Sequence, residues 1–155
     1  MEQELEKLRK YCAYQDRCHS EVRSKLLSIK VYGDELEEII SILISEGFLN
    51  EERFARSYCR GKFRMKKWGR QKIRQKLIAK RVSEYCIKKG MEEIDEEEYL
   101  NALNETLSKA IAKYASYPPI VQKDKAIKYT NSRGYELQLI FNSIRKIEID
   151  DNHQS

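Results

Sequence analysis

The chain has 155 residues, 41% of them hydrophobic and 35% charged, with only two Pro and six Gly. That length suits one ordinary domain or a short array of small units, and the residues on offer favour helices over strands. Ten Tyr, four Phe and many Ile and Leu argue against disorder. The charged N-terminus MEQELEKLRK and the lack of a long apolar run argue against a signal peptide or a membrane span, so a soluble cytoplasmic protein is expected.

Taken in order, Leu5, Leu8, Tyr11 and Cys12 have helical spacing over residues 2–15. Ser20 is the expected N-cap of a second helix carrying Val22, Leu26 and Leu27. Gly33-Asp34 gives a break and a cap. The third helix follows with a stripe of Leu36, Ile39, Ile40 and Leu43, ended by Gly47. Asn50 caps the fourth helix, in which Phe54, Tyr58 and Met65 form one face and Arg53, Arg56, Arg60, Arg64 and Lys67 another. After Gly69, Ile73 and Leu77 make a narrow seam in a fifth helix, and Ile87, Met91 and Ile94 mark a sixth. Acids at 95–98 suit the first turn of a seventh helix, which runs through Tyr99, Leu100, Leu103, Leu107, Ile111 and Tyr114 to a stop at Pro118-Pro119. A short helix near 125–131 and a last one with Leu137, Ile140, Phe141 and Ile144 complete the chain, before a frayed tail at 148–155.

Two larger patterns emerge. Leu36, Ile39, Ile40 and Leu43 align with Ile87, Gly90, Met91 and Ile94, and again with Leu137, Ile140, Phe141 and Ile144. The entries to these stripes align as Leu27, Lys30 and Tyr32, then Leu77, Lys80 and Val82, then Thr130, Arg133 and Tyr135. The pattern predicts an all-α, elongated array of three tandem three-helix repeats of about 50 residues, at 1–48, 49–94 and 95–147, followed by a flexible tail. Periodicity alone also allows a compact helical bundle. The second pattern is charge. Residues 53–83 hold thirteen Lys or Arg and no acid, so the window carries +13 and the remainder −8. Like charges repel, so such a window points to a polyanionic partner.

The run Gly47-Phe48-Leu49-Asn50-Glu51-Glu52-Arg53-Phe54-Ala55, then Tyr58, then Lys66-Lys67-Trp68-Gly69 with Ile73 and Leu77, resembles the motif of the RecX family. The match is strongest over 47–82 and extends as a repeat pattern over most of the chain. It departs at the turns before the third helices, where Lys-Gly or Arg-Gly is common and only Arg133-Gly134 conforms. The resemblance implies a small regulator of the RecA recombinase, bound to the filament on single-stranded DNA and inhibiting its ATPase and strand exchange. A monomer with no membrane association is expected. Whether duplex DNA is bound too stays open.

The expected nucleic-acid or filament contacts are Arg53, Arg56, Arg60, Arg64, Lys66, Lys67, Arg70, Lys72, Arg74 and Lys76. Phe54, Ala55, Tyr58, Gly69, Ile73 and Leu77 are expected to be structural. Phosphate contacts of this kind are sequence-independent and salt-sensitive. Trp68 can either stack on a base or pack between helices. The acids at 92–98 are read as a solvated helix start. Cys12, Cys18, Cys59 and Cys86 lack metal-ligand spacing, and no nucleophile elbow or phosphate loop occurs, so no metal, cofactor or enzymatic activity is expected. Two other classes compete: a sequence-independent nucleic-acid binder or helix-turn-helix regulator acting without a recombinase, and a helical adaptor for an acidic protein.

Overall fold

The computed structural model describes residues 1–154; Ser155, at the end of the expected tail, lies outside the described residues. The described residues form nine helices: α1 (Glu2–Tyr14), α2 (His19–Ser28), α3 (Gly33–Ser45), α4 (Glu51–Lys66), α5 (Arg70–Ala79), α6 (Glu84–Met91), α7 (Glu96–Lys113), α8 (Pro119–Ser132) and α9 (Leu137–Gln154). The fold is all-α, and no described helix is long and apolar enough to cross a membrane. Two compact units are present. One comprises Met1–Arg60 with Lys76–Glu93, and the other comprises Gly61–Gln75 with the chain from Ile94 onward. Helices α4 and α5 each pass from one unit to the other.

The first unit is built around α1, α2 and α3. Leu5, Leu8, Cys12, Val22, Leu26, Val31, Leu36, Ile39, Ile40, Leu43 and Leu49 form one buried cluster. Each fully buried Leu or Ile there contributes about 1.5–3 kcal/mol. Glycine-led turns fix the helix ends: Gly47 takes φ 80°, and the Phe48 N–H donates to the Leu43 carbonyl at 2.9 Å. At α6, Gly90 lets the helix lie against α4. A Cβ there would stand 2.7 Å from both the Ala55 carbonyl oxygen and the Cys59 sulfur.

Several local expectations change. The N-cap of α2 is Cys18, whose backbone N–H donates to the Glu21 carboxylate at 3.1 Å. Ser20 lies inside the helix and donates to the Lys80 carbonyl at 2.7 Å. Helix α3 begins at Gly33 with Tyr32 in the cap position, so Asp34 is a first-turn acid. Pro119 opens α8, which is longer than the expected 125–131, because a proline at the first helical position gives up an N–H that has no partner in any case. Helix α9 continues to Gln154, through most of the segment expected to fray.

The repeat register also shifts. Lys30 and Arg81 have φ of 63° and 61°, and Gly134 has φ 106°. The N–H groups of Lys30, Arg81 and Gly134 donate to Leu27, Ile78 and Asn131. Those of Val31 and Val82 donate to Leu26 and Leu77. The equivalent turn residues are therefore Lys30, Arg81 and Gly134, followed by Val31, Val82 and Tyr135. Carried into the third helices, this register aligns Leu36 with Ile87 and Ile140, and Ile39 with Gly90 and Ser143. Leu27 and Tyr32 are exposed where Leu26 and Val31 are buried. Leu137 and Phe141 are likewise exposed, whereas Ile140, Ser143 and Ile144 are buried.

Candidate nucleic-acid interface

Helix α4 starts with the expected cap, Asn50 accepting from the Arg53 N–H at 2.9 Å. Its buried positions are Phe54, Ala55, Cys59 and Phe63. At about 100° per residue these swing through half a turn, because the first part of the helix packs in one unit and the last part in the other. Met65 shares the angle of Phe54 but lies beyond that swing. It is 84% exposed and does not belong to the core face expected for it. Tyr58 is half-buried, its ring 5.6 Å from that of Phe54. Ile73 and Leu77 are fully buried.

Folding sorts the basic window into two groups. In the first, carboxylates and carbonyls hold the guanidinium. Arg53 binds Asp16 at 2.8 Å and the Gly47 and Phe48 carbonyls at 3.1 Å, which ties the start of α4 to the turn before it. Arg56 binds Glu52, Glu93 and Glu92 at 3.2, 3.1 and 3.4 Å, and Arg60 binds Glu93. The Glu52 hydrogen bond, more than those to α6's end, holds the Arg56 guanidinium in its charged form.

Arg70 is the most enclosed of this group. Its guanidinium lies 3.8 Å over the Tyr99 ring and pairs with Glu136 at 3.0 Å and with Glu96. The Arg70 backbone N–H donates to the Tyr99 hydroxyl at 3.0 Å, and that hydroxyl donates to Glu136. Burial, then the Glu136 carboxylate, push the Tyr99 hydroxyl far above its ordinary value, so it stays a neutral donor. The acids at 92–98 therefore do more than start a helix. Asp95 caps α7 by accepting from the Glu98 N–H at 3.0 Å, while Glu92, Glu93 and Glu96 neutralise arginines. Nothing local in the sequence announces this pairing, since the partners lie 26–37 residues apart.

The second group surrounds the α4–α5 turn in the second unit. Lys67 ends α4 in the left-handed region, φ 57°. Gly69 follows, and a Cβ on it would stand 2.2 Å from the Gly134 carbonyl carbon. The turn is bolted to the α8–α9 turn. The Gly69 and Gln71 N–H groups donate to the Arg133 and Gly134 carbonyls at 2.8 and 3.0 Å. In return Arg133 and the Tyr135 hydroxyl donate to the Lys66 and Lys67 carbonyls at 2.7 and 2.8 Å. Phe63, Tyr99 and Tyr135 stack beneath at 5.8 and 5.3 Å.

This frame presents Arg64, Lys66 and Lys67, all exposed. Among the described residues Arg64 and Lys66 form no ion pair. Trp68 is half-buried with the Lys72 and Lys62 ammonium groups 4.5 and 5.2 Å over its ring. Trp68 thus packs beneath lysine side chains of α4 and α5. Arg74 and Lys76 occupy exposed positions of α5. Among the described residues no His, Cys, Asp or Glu cluster is suited to a metal ion.

Among the described residues, nine helices carrying a repeated turn, with a cationic turn in the middle, define a helical-repeat protein. Residues 50–91 match the family model described as "RecX, second three-helix domain". The regulatory protein RecX of Lactococcus lactis subsp. cremoris (strain SK11) is 25% identical over 148 residues, which are 94% of this chain and 55% of that protein. The regulatory protein RecX of Lactobacillus johnsonii is 30% identical over 132 residues, 83% of this chain and 48% of that protein. The chain spans about half the length of these curated relatives. The crystal structure of RecX from Lactobacillus salivarius superposes with a TM-score of 0.82 at 20% identity, covering 96% of this chain and 99% of that one. A second structure, of regulatory protein RecX, gives 0.82 at 21% identity, covering 88% and 69%. The chain resembles the RecX family of regulatory proteins over nearly its whole length, and residues 50–91 are similar to that family's second three-helix domain.

Proposed function

We propose that the protein is a non-catalytic regulator that binds a RecA-type recombinase filament on single-stranded DNA and inhibits its ATPase and strand exchange. The recombinase enters through the RecX resemblance alone. Charge carries the polyanion. The observation that supports the DNA contact best is the sorting of the cations. Arg53, Arg56, Arg60 and Arg70 are held by protein groups, whereas Arg64, Lys66 and Lys67 project from the end of α4 and the start of a turn that hydrogen bonds make rigid. These three, with Lys72, are the phosphate contacts of this reading, and Arg74 and Lys76 extend them along exposed positions of α5. The contact is salt-sensitive and indifferent to sequence.

The test is inhibition of recombinase ATPase and strand exchange by the full chain, beside capture on recombinase-coated and bare single-stranded DNA. Preferential capture on coated strands with inhibition near equimolar protein supports the reading. No inhibition and no capture on either strand would sink it. Reversing Arg64→Glu and Lys66→Glu should weaken strand binding at least tenfold without changing thermal stability. Equal binding to bare strands, with no preference for the filament, would favour a plain nucleic-acid binder.

A further inference from the structure

A second group of cations in the second unit differs from its neighbours in what it touches. Along the end of α7 and along α8, Lys109, Lys123 and Lys128 pair with Glu105, Glu148 and Asp124 at 2.9, 2.7 and 2.9 Å. Lys113 and Lys125 do otherwise: among the described residues they form no ion pair and lie over tyrosine rings instead. The Lys113 ammonium is 4.9 Å from the Tyr129 ring centroid and 5.5 Å from that of Tyr114. The Lys125 ammonium is 4.7 Å from Tyr117 and 5.9 Å from Tyr114. Tyr114 and Tyr117 meet edge to face at 6.0 Å, and Tyr117 is 43% exposed. The turn is set by the Tyr117 N–H donating to the Tyr114 carbonyl at 3.1 Å.

From this we infer that Lys113, Tyr114, Tyr117, Lys125 and Tyr129 form a stacking site for an unpaired nucleobase and its phosphate. An unpaired base offers a π-face that a tyrosine can cover, and its phosphate is the anion that the two ammonium groups lack. A duplex hides base faces within its stack, so the ligand is a single strand. An acidic peptide would use the lysines but gain nothing from the exposed ring of Tyr117. The inference rests on the reading that the protein binds single-stranded nucleic acid, and it adds a base contact outside the basic window.

The test is fluorescence anisotropy of the full chain with a labelled oligothymidylate and with an abasic oligomer of equal length. Tyr117→Ala should weaken thymidylate binding about tenfold and leave the abasic oligomer within twofold, with Tyr117→Phe restoring the difference. Lys113→Gln with Lys125→Gln should weaken both ligands. Unchanged thymidylate binding in Tyr117→Ala, equal loss on the abasic oligomer, or loss confined to a labelled poly-glutamate would each overturn the inference. The Arg64→Glu, Lys66→Glu variant separates the two proposals. If it alone loses thymidylate affinity, the central contact stands and the stacking site falls. If Tyr117→Ala alone loses it, the reverse holds. A parent chain that binds no strand overturns both.

Discussion

At Gly69 the Gly134 carbonyl occupies the place where a side chain would begin. Backbone on both sides of that approach cannot move without breaking the hydrogen bonds that join the two turns. Gly69→Ala should therefore cost about 2–3 kcal/mol, typical of overpacking a rigid site. Gly61 is the control: it is helical, nothing lies within 4 Å of its missing Cβ, and Gly61→Ala should stabilise by about 1 kcal/mol. Urea denaturation of both variants checks the pair, and equal effects would refute the close-approach account. The sequence shows Gly69 as part of a motif, but its contact is with a residue 65 positions away, which no local pattern reveals. The left-handed turns at Lys30 and Arg81 are hidden for the opposite reason. The pattern favours glycine there, and this chain accepts about 1–2 kcal/mol of steric cost at each.

Among the helices, α6 ends in the acids that hold α4. Glu93 takes both Arg56 and Arg60, each partner being less than half exposed, so the pairs add at most about 1 kcal/mol each. Glu93→Gln should lower stability by no more than about 2 kcal/mol for the two pairs while releasing the Arg60 guanidinium, since Glu52 and Glu92 still hold Arg56. Affinity for oligothymidylate should then rise, with a log–log salt slope steeper by up to about 0.7. Unchanged affinity and slope would mean that Arg60 is scaffold only. The helices themselves were largely legible. Leu36, Ile39, Ile40 and Leu43 face one core, and a single period reveals them. Periodicity failed where a helix serves two cores, as with Met65, and where a polar residue holds a core position. Ser143 is buried because its hydroxyl donates to Asn104. An apolar pattern skips it, and so slid to the exposed Leu137 and Phe141. The basic window was legible as charge, but the division between held and projecting cations depends on acids brought from elsewhere by folding.

Across the molecule, the core is rich in acids that must stay protonated. Burial pushes the Cys59 thiol up to about 12 from an ordinary 9.0, and raises Cys12 and Cys18 as well. Burial also raises the hydroxyls of Tyr99 and Tyr135. Their folded values all lie above their unfolded ones. The stability they contribute is thus complete below about pH 9 and declines as pH rises, because the unfolded chain releases protons that the folded chain keeps. Cys59 alone should remove about 1.4 kcal/mol per unit between pH 9 and 12. On the acid side, Arg9 and Arg23 lower the carboxyls of Glu46 and Glu37. That contribution is present above the ordinary carboxyl value and lost as pH falls through the lowered one. Both pairs are solvent-exposed, so the acid limb should be shallow. Urea titrations at pH 5, 7, 9 and 10.5 should show near-constant stability up to 9 and a clear fall by 10.5. Cys59→Ala should start less stable at pH 7, through the lost packing, and decline less steeply above pH 9. Parallel declines in the two proteins would show that Cys59 is not the group titrating.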